Sequence, residues 1–154
     1  MSKKIIILMV MAMSLVGTAI VAYRIYHKRY FSCTAQYYTS YQNTHLKAIF
    51  RLVFNGTEGI AMLTGEVKDK MDRHLALNRQ MIFHFTENQS RYLMQSVKEI
   101  RENYDEVNNE LLTQLLNAFF YQENRSIQYR IDSQPNGDYV IANGKMPLAY
   151  CHHS

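Results

Sequence analysis

The chain ends Cys151-His152-His153-Ser154, and no other run of neighbouring side chains has comparable donor chemistry. A thiolate beside two imidazoles offers three of the four ligands of a zinc site. The run supplies neither a fourth ligand nor a fixed chain, so no metal is expected there. The second cysteine, Cys33, stands at the far end of everything that follows the first thirty residues. Two thiols that bracket a whole domain suit a disulfide tying its first strand to its last, and each then has a partner that removes it as a nucleophile. In the chain-entropy account, closing a loop of more than a hundred residues stabilises a fold by about 4 to 5 kcal/mol. Such a bond needs an oxidising compartment. The alternative is two unrelated buried thiols. Tyr30-Phe31-Ser32 does not resemble a lipid-attachment signal, so Cys33 is not read as a lipid carrier.

Other catalytic signatures are missing from the sequence. It has no Gly-x-Ser-x-Gly elbow, phosphate loop or dinucleotide fingerprint, so neither an enzyme nor a cofactor is expected. His84 falls opposite Phe83 and Phe85 in an alternating run, which turns its ring to solvent. Asn-x-Ser/Thr triplets at Asn55, Asn88 and Asn124 are close to what eleven asparagines give by chance.

The elements that must position the cysteines begin with Ile5 to Tyr23, nineteen residues without a charge. At about 1.5 Å per residue such a helix crosses the hydrocarbon core. The expected organisation is a cytoplasmic amino terminus (1–4), a transmembrane helix (5–23), a juxtamembrane linker (24–32), a periplasmic β-rich domain (33–151) and a short tail (152–154). A cleaved signal peptide with Gly17-Thr18-Ala19 near its end is the rival reading. Continuation of the apolar run through Ile20, Val21, Ala22 and Tyr23 favours retention. Basic residues flank the segment on both sides, so orientation rests on the cysteines. Net charge is +4, but residues 1–30 hold five Lys or Arg and no acid, leaving twelve basic against thirteen acidic residues beyond. A near-neutral domain argues against a nucleic-acid surface. Arg24, His27, Lys28 and Arg29 are expected among lipid headgroups, making the bilayer a partner through the anchor.

Beyond Cys33 a period of two dominates. Leu46, Ala48, Phe50, Leu52 and Phe54 share a face, with Lys47 and Arg51 on the other, before an Asn55-Gly56 turn. Gly59, Ala61, Leu63, Gly65 and Val67 form a second inner face; Leu75, Leu77, Met81, Phe83 and Phe85 form a third, interrupted by Arg79. Residues 91–100 fit a strand or a helix and are read as a strand. Residues 105–121 change period, with Val107, Leu111, Leu115 and Phe119 every fourth position, and predict one helix capped by Asp105. Ile127, Tyr129 and Ile131, a Pro135–Asp138 turn, residues 138–142 and residues 146–151 complete the chain. The expected class is α+β, mostly β: an antiparallel sheet or small barrel of seven or eight strands, with one helix inserted before the last pair. Tyr37, Tyr38 and Tyr41 mark either a partner surface or a sheet edge near the bilayer. Phe50, Phe54, Leu63, Phe83, Phe85, Phe119 and Phe120 read as core, or, in a closed barrel, as the lining of a pocket for a small apolar ligand.

One span, a cysteine soon after it, FNGTEGIAMLTGEV, a later helix and a closing NGKMPLAYC together resemble the FidL-like family of small enterobacterial inner-membrane proteins. The resemblance implies a single-pass protein with a periplasmic carboxy-terminal domain. By analogy with ToxS-like partners of ToxR-type regulators, it further implies binding to the periplasmic part of a membrane-spanning winged-helix regulator, which the domain stabilises or modulates. A lipocalin-like sensor for a bile-salt or fatty-acid-like ligand is the second expectation. A minor pilin or secretion-apparatus component is the third, although the apolar segment lacks a pilin processing motif and its early Glu.

Overall fold

A computed structural model describes residues 3–154 of the chain. Helix α1 (Lys3–Arg29) buries none of its residues, and is long and apolar enough to cross a bilayer. Eight antiparallel strands follow: β1 (Tyr30–Tyr41), β2 (Thr44–Asn55), β3 (Glu58–Lys68), β4 (His74–Asn88), β5 (Arg91–Arg101), β6 (Ser126–Ser133), β7 (Tyr139–Asn143) and β8 (Met146–His153). Each pairs with its neighbour in sequence, and β8 returns to β1, so the sheet closes into a barrel. The alternation of the sequence is the cause: Leu46, Ala48, Phe50, Leu52 and Phe54 all point inward and are buried. Leu93 and Val97 of β5 point outward while Tyr92 and Met94 point in, which settles residues 91–101 as a strand. Small residues of β3 make room for large ones of β4. Gly59 pairs with Phe83, and a Cβ at Gly59 would collide with that ring and with the Val53 carbonyl.

Arg79, expected to interrupt an inner face, belongs to it: the side chain is 1% exposed. Its Nε donates to Asp105 Oδ2 at 2.9 Å, its Nη1 to Glu99 Oε1 at 2.9 Å, and further donors reach Asn109 Oδ1 and the Val107 carbonyl. Asp105 also accepts from the backbone N–H groups of Asn78 and Val107. The inserted helix is present but shorter than the one expected over 105–121. The first residues of that span are fixed as a bracket around a guanidinium instead of entering a helix, and Asp105 caps nothing. What remains is a short α2 (Asn109–Thr113), capped by Asn108, and a 3-10 turn (Ala118–Phe120), capped by Asn117. The Asn108 side chain accepts from the Leu111 N–H and that of Asn117 from the Phe119 N–H, so each asparagine starts a separate short turn. Val107, Leu112, Leu115, Leu116, Phe119, Phe120 and Tyr121 are nonetheless all buried, so the four-residue recurrence reported a plug across one end of the barrel. The plug precedes three strands, not two.

Two boundaries also move. Residues 24–29, expected as a linker, continue α1, and β1 starts at once with Tyr30. His152 and His153, expected in a tail, belong to β8 and pair with Thr34 and Cys33. Cys33 and Cys151 form the disulfide, with Cα atoms 5.3 Å apart across a sequence separation of 118.

Two outcomes follow for stability. Replacing both cysteines by alanine should lower the unfolding free energy by about 4 kcal/mol in denaturant titrations, and reduction should change gel mobility. Asp105→Ala leaves Arg79 buried without its main counter-charge and should cost about 3 to 5 kcal/mol, whereas the apolar pair Arg79→Met with Asp105→Leu should cost less than that single change.

Candidate functional site

The two end strands meet only briefly. The paired positions between β1 and β8 are Cys33 with His153 and Thr34 with His152, beside which the Ser154 N–H donates to the Ser32 carbonyl at 3.2 Å, and the ladder stops at Thr34. Beyond that point the edges of both strands run on without a partner across the seam, among the described residues. Composition of β8 explains part of the divergence: Pro147 has no N–H to donate, and Leu148 is left out of the β7 ladder, where Ile141 pairs with Ala149 and Ala142 with Pro147.

Where the strands part, an apolar cavity of about 230 Å³ opens. Ala35 and Tyr37 of β1, Phe50 and Leu52 of β2, Ile127 of β6, Leu148 and Ala149 of β8, and Leu116 and Phe120 of the plug line it, and Leu148 is the exposed member of these. Polar side chains are few: Tyr37, Tyr129, Asn117 and Asn143. Burial, and secondarily the neighbouring Tyr37, push the Tyr129 hydroxyl well above the usual phenol range, so it stays a neutral donor. The arrangement offers an apolar slot with a few hydrogen-bonding groups, the composition of a binding site.

Of the seven residues expected to line a pocket, Phe50 and Phe120 do so. Phe54, Leu63, Phe83, Phe85 and Phe119 fill the barrel instead: Phe54 alone packs against Phe31, Phe83, Phe85 and Tyr92 at centroid distances of 4.4, 5.5, 5.0 and 5.3 Å. Leu63 is likewise fully buried among them. The three tyrosines do not form one surface. Tyr37 turns into the cavity, Tyr38 stands outside beside His45, and Tyr41 lies exposed at the rim. Leu116, Tyr129, Ile141, Leu148 and Ala149 were missed as lining residues. Only strand parity could have flagged Tyr129 and Ile141 in the sequence. The rest depend on where the seam opens.

Cys151 has its sulfur in the disulfide, and His152 turns outward to Asp138, 3.3 Å from Nδ1 to Oδ2. Among the described residues no group of three or more His, Cys, Asp or Glu converges. His84 is exposed and lies 3.6 Å from Glu58. Asp138 pins the end of β8: it accepts from the His153 N–H at 2.9 Å and from the Tyr150 hydroxyl at 2.9 Å. The His153 N–H is the main reason its carboxyl sits below the ordinary range, against the opposing effect of burial.

Residues 30–151 match the family described as the YqeJ C-terminal domain, so the chain belongs to that family. The matched span begins with β1 and ends at the second cysteine, covering the barrel and not α1. No curated protein and no solved structure matches the chain.

Because the folded-state pKa of Asp138 is lowered, its contribution to stability is present above the unfolded carboxylate pKa and is lost as pH falls through the folded value. Melting temperatures of the protein and of Asp138→Asn should therefore differ at neutral pH and converge in acid; parallel curves throughout would refute the strap.

Proposed function

We propose that this member of the YqeJ C-terminal domain family is a binding protein held at a bacterial inner membrane by α1, with its barrel in the periplasm. In this reading the seam cavity receives an apolar group from a protein partner, the periplasmic part of a membrane-spanning winged-helix regulator, which the barrel stabilises or modulates. The cavity between two diverging strand edges carries the proposal. Its size bears on the choice of occupant: apolar cavities of about 150 Å³ take up benzene, and sites for drug-sized molecules run from about 300 Å³ upward. A volume of about 230 Å³ suits one or two inserted side chains or the end of an acyl chain better than a whole sterol-like molecule. The apolar α1 and the disulfide support a tethered, exported location, and the likeness to FidL-like proteins supports the choice of partner.

A second reading, a sensor for a fatty-acid-like or bile-salt-like ligand, is favoured by one observation. The neutral Tyr129 hydroxyl lies at the cavity, where it can meet the polar end of an amphiphile.

A photo-crosslinking residue at Leu148, in the full-length protein in membranes, tests the first reading. Capture of a membrane-spanning regulator, lost in Ala149→Phe while the disulfide and melting temperature persist, is the expected result. Capture of no protein, together with a melting temperature that rises with added fatty acid or bile salt, would replace it by the second reading.

A further inference from the structure

The junction between α1 and the barrel is built, not merely connected. The helix ends with carbonyls that lack intrahelical partners, and the barrel supplies them: the Tyr92 hydroxyl donates to the Lys28 carbonyl at 2.8 Å and the Gly56 N–H to the Arg29 carbonyl at 2.9 Å. Lys28 Nζ lies 2.9 Å from Glu87, and Tyr26 stacks on Tyr30 with centroids 4.5 Å apart. These contacts leave a crevice of about 400 Å³ between the last turns of α1 and the hairpin ends of the barrel. From the helix, Tyr23, Arg24, His27 and Lys28 face it; from the barrel, Ser90, Ser133 and Tyr139 do.

Charge in this crevice is unbalanced. Glu87 is neutralised by Lys28, Asp132 pairs with Arg130, and Asp138 is engaged by His152. Arg24 makes no ion pair among the described residues, and neither does His27, whose ring packs against Tyr23 at 4.3 Å. The hydroxyls of Ser90 and Ser133 bond no other protein group among the described residues. The crevice also has a defined depth: Tyr23 is the last residue of the uncharged run, so Arg24 and His27 fall at the level of the headgroups, where Tyr is enriched.

We propose that this crevice is a binding site for the phosphodiester headgroup of an anionic phospholipid. Arg24 supplies the charge, Ser90 and Ser133 donate to phosphate oxygens, and Tyr23 and Tyr139 flank the glycerol. The inference rests on α1 being a retained anchor and is independent of what enters the seam cavity.

Native mass spectrometry of the full-length protein, released from mixed phosphatidylglycerol and phosphatidylcholine nanodiscs, reads the retained lipid directly. Phosphatidylglycerol should be retained in preference, and Arg24→Gln should weaken that preference about fivefold, the effect of one basic residue near an anionic surface. Ser133→Phe, which fills the crevice without changing charge, should weaken it as well, whereas Ile49→Gln, on the outer face of β2, should not. Equal retention of both lipids would overturn the proposal. So would a preference that falls with Arg24→Gln and is untouched by Ser133→Phe, because that pattern is diffuse surface attraction. Displacement of the lipid by soluble glycerol 3-phosphate would reassign the site to free phosphate esters.

Discussion

The barrel depends on a closure that its hydrogen bonds barely make. Seven of the eight strand interfaces are formed by neighbours in sequence, joined by hairpins or, for β5 and β6, by the plug. The eighth must join the two ends of the chain and has two paired positions, extended by one hydrogen bond from the Ser154 N–H to the Ser32 carbonyl. A sheet closed this thinly would open at the seam with little cost in backbone bonding. The covalent link between Cys33 and Cys151 stands beside those two positions and removes that freedom. A closed neck and a parted mouth are the result, and the cavity exists because the neck holds while the mouth does not.

At the opposite end the barrel is stoppered by a segment with almost no regular structure. Its order begins with a buried arginine. Arg79 extends from an inner strand face and gathers Asp105, Glu99, Asn109 and the Val107 carbonyl at the start of the plug, while buried Ser96 donates to the Gln122 carbonyl near its end, so the plug hangs on polar nodes inside an apolar shell. Replacing such a node by apolar groups is often tolerated, but halving it is not, since the remaining charge is then stranded in a medium that cannot solvate it. The hydrophobic residues of the plug fill the barrel end, and two of them, Leu116 and Phe120, also line the cavity.

Much of this was legible in the sequence. The strands of residues 44–68 announced themselves by alternation, and the cysteines by their placement. Two things were not. The recurrence of apolar residues over 105–121 is a statement about burial, and burial is periodic in a helix but also satisfied by an irregular plug; the deciding residue, Arg79, lies in another strand and read as a defect. Which of the candidate residues are core and which line the cavity was also beyond the sequence, for a related reason. Phe54, Phe83, Phe85 and Phe119 are inward-facing, as expected, but inward-facing rings pack against each other wherever the barrel is fully paired. Space is left only beside the diverging strands, and divergence is set by Pro147, the bulge at Leu148 and the short β1–β8 ladder, none of which has a periodic signature. Two hairpins also turn through Gln42-Asn43 and Gln89-Ser90, whose positive φ angles occur without any glycine to advertise them.

The direct passage from Arg29 into Tyr30 has a geometric consequence. With a hydrogen bond from Gly56 to the last carbonyl of α1, the helix acts as an axle keyed to the cylinder it carries. The gap in the cylinder wall then points along one compass bearing about that axle, so whatever enters the opening must approach from that side. Rolling of the helix would swing that bearing by the same angle, with no slack between the two.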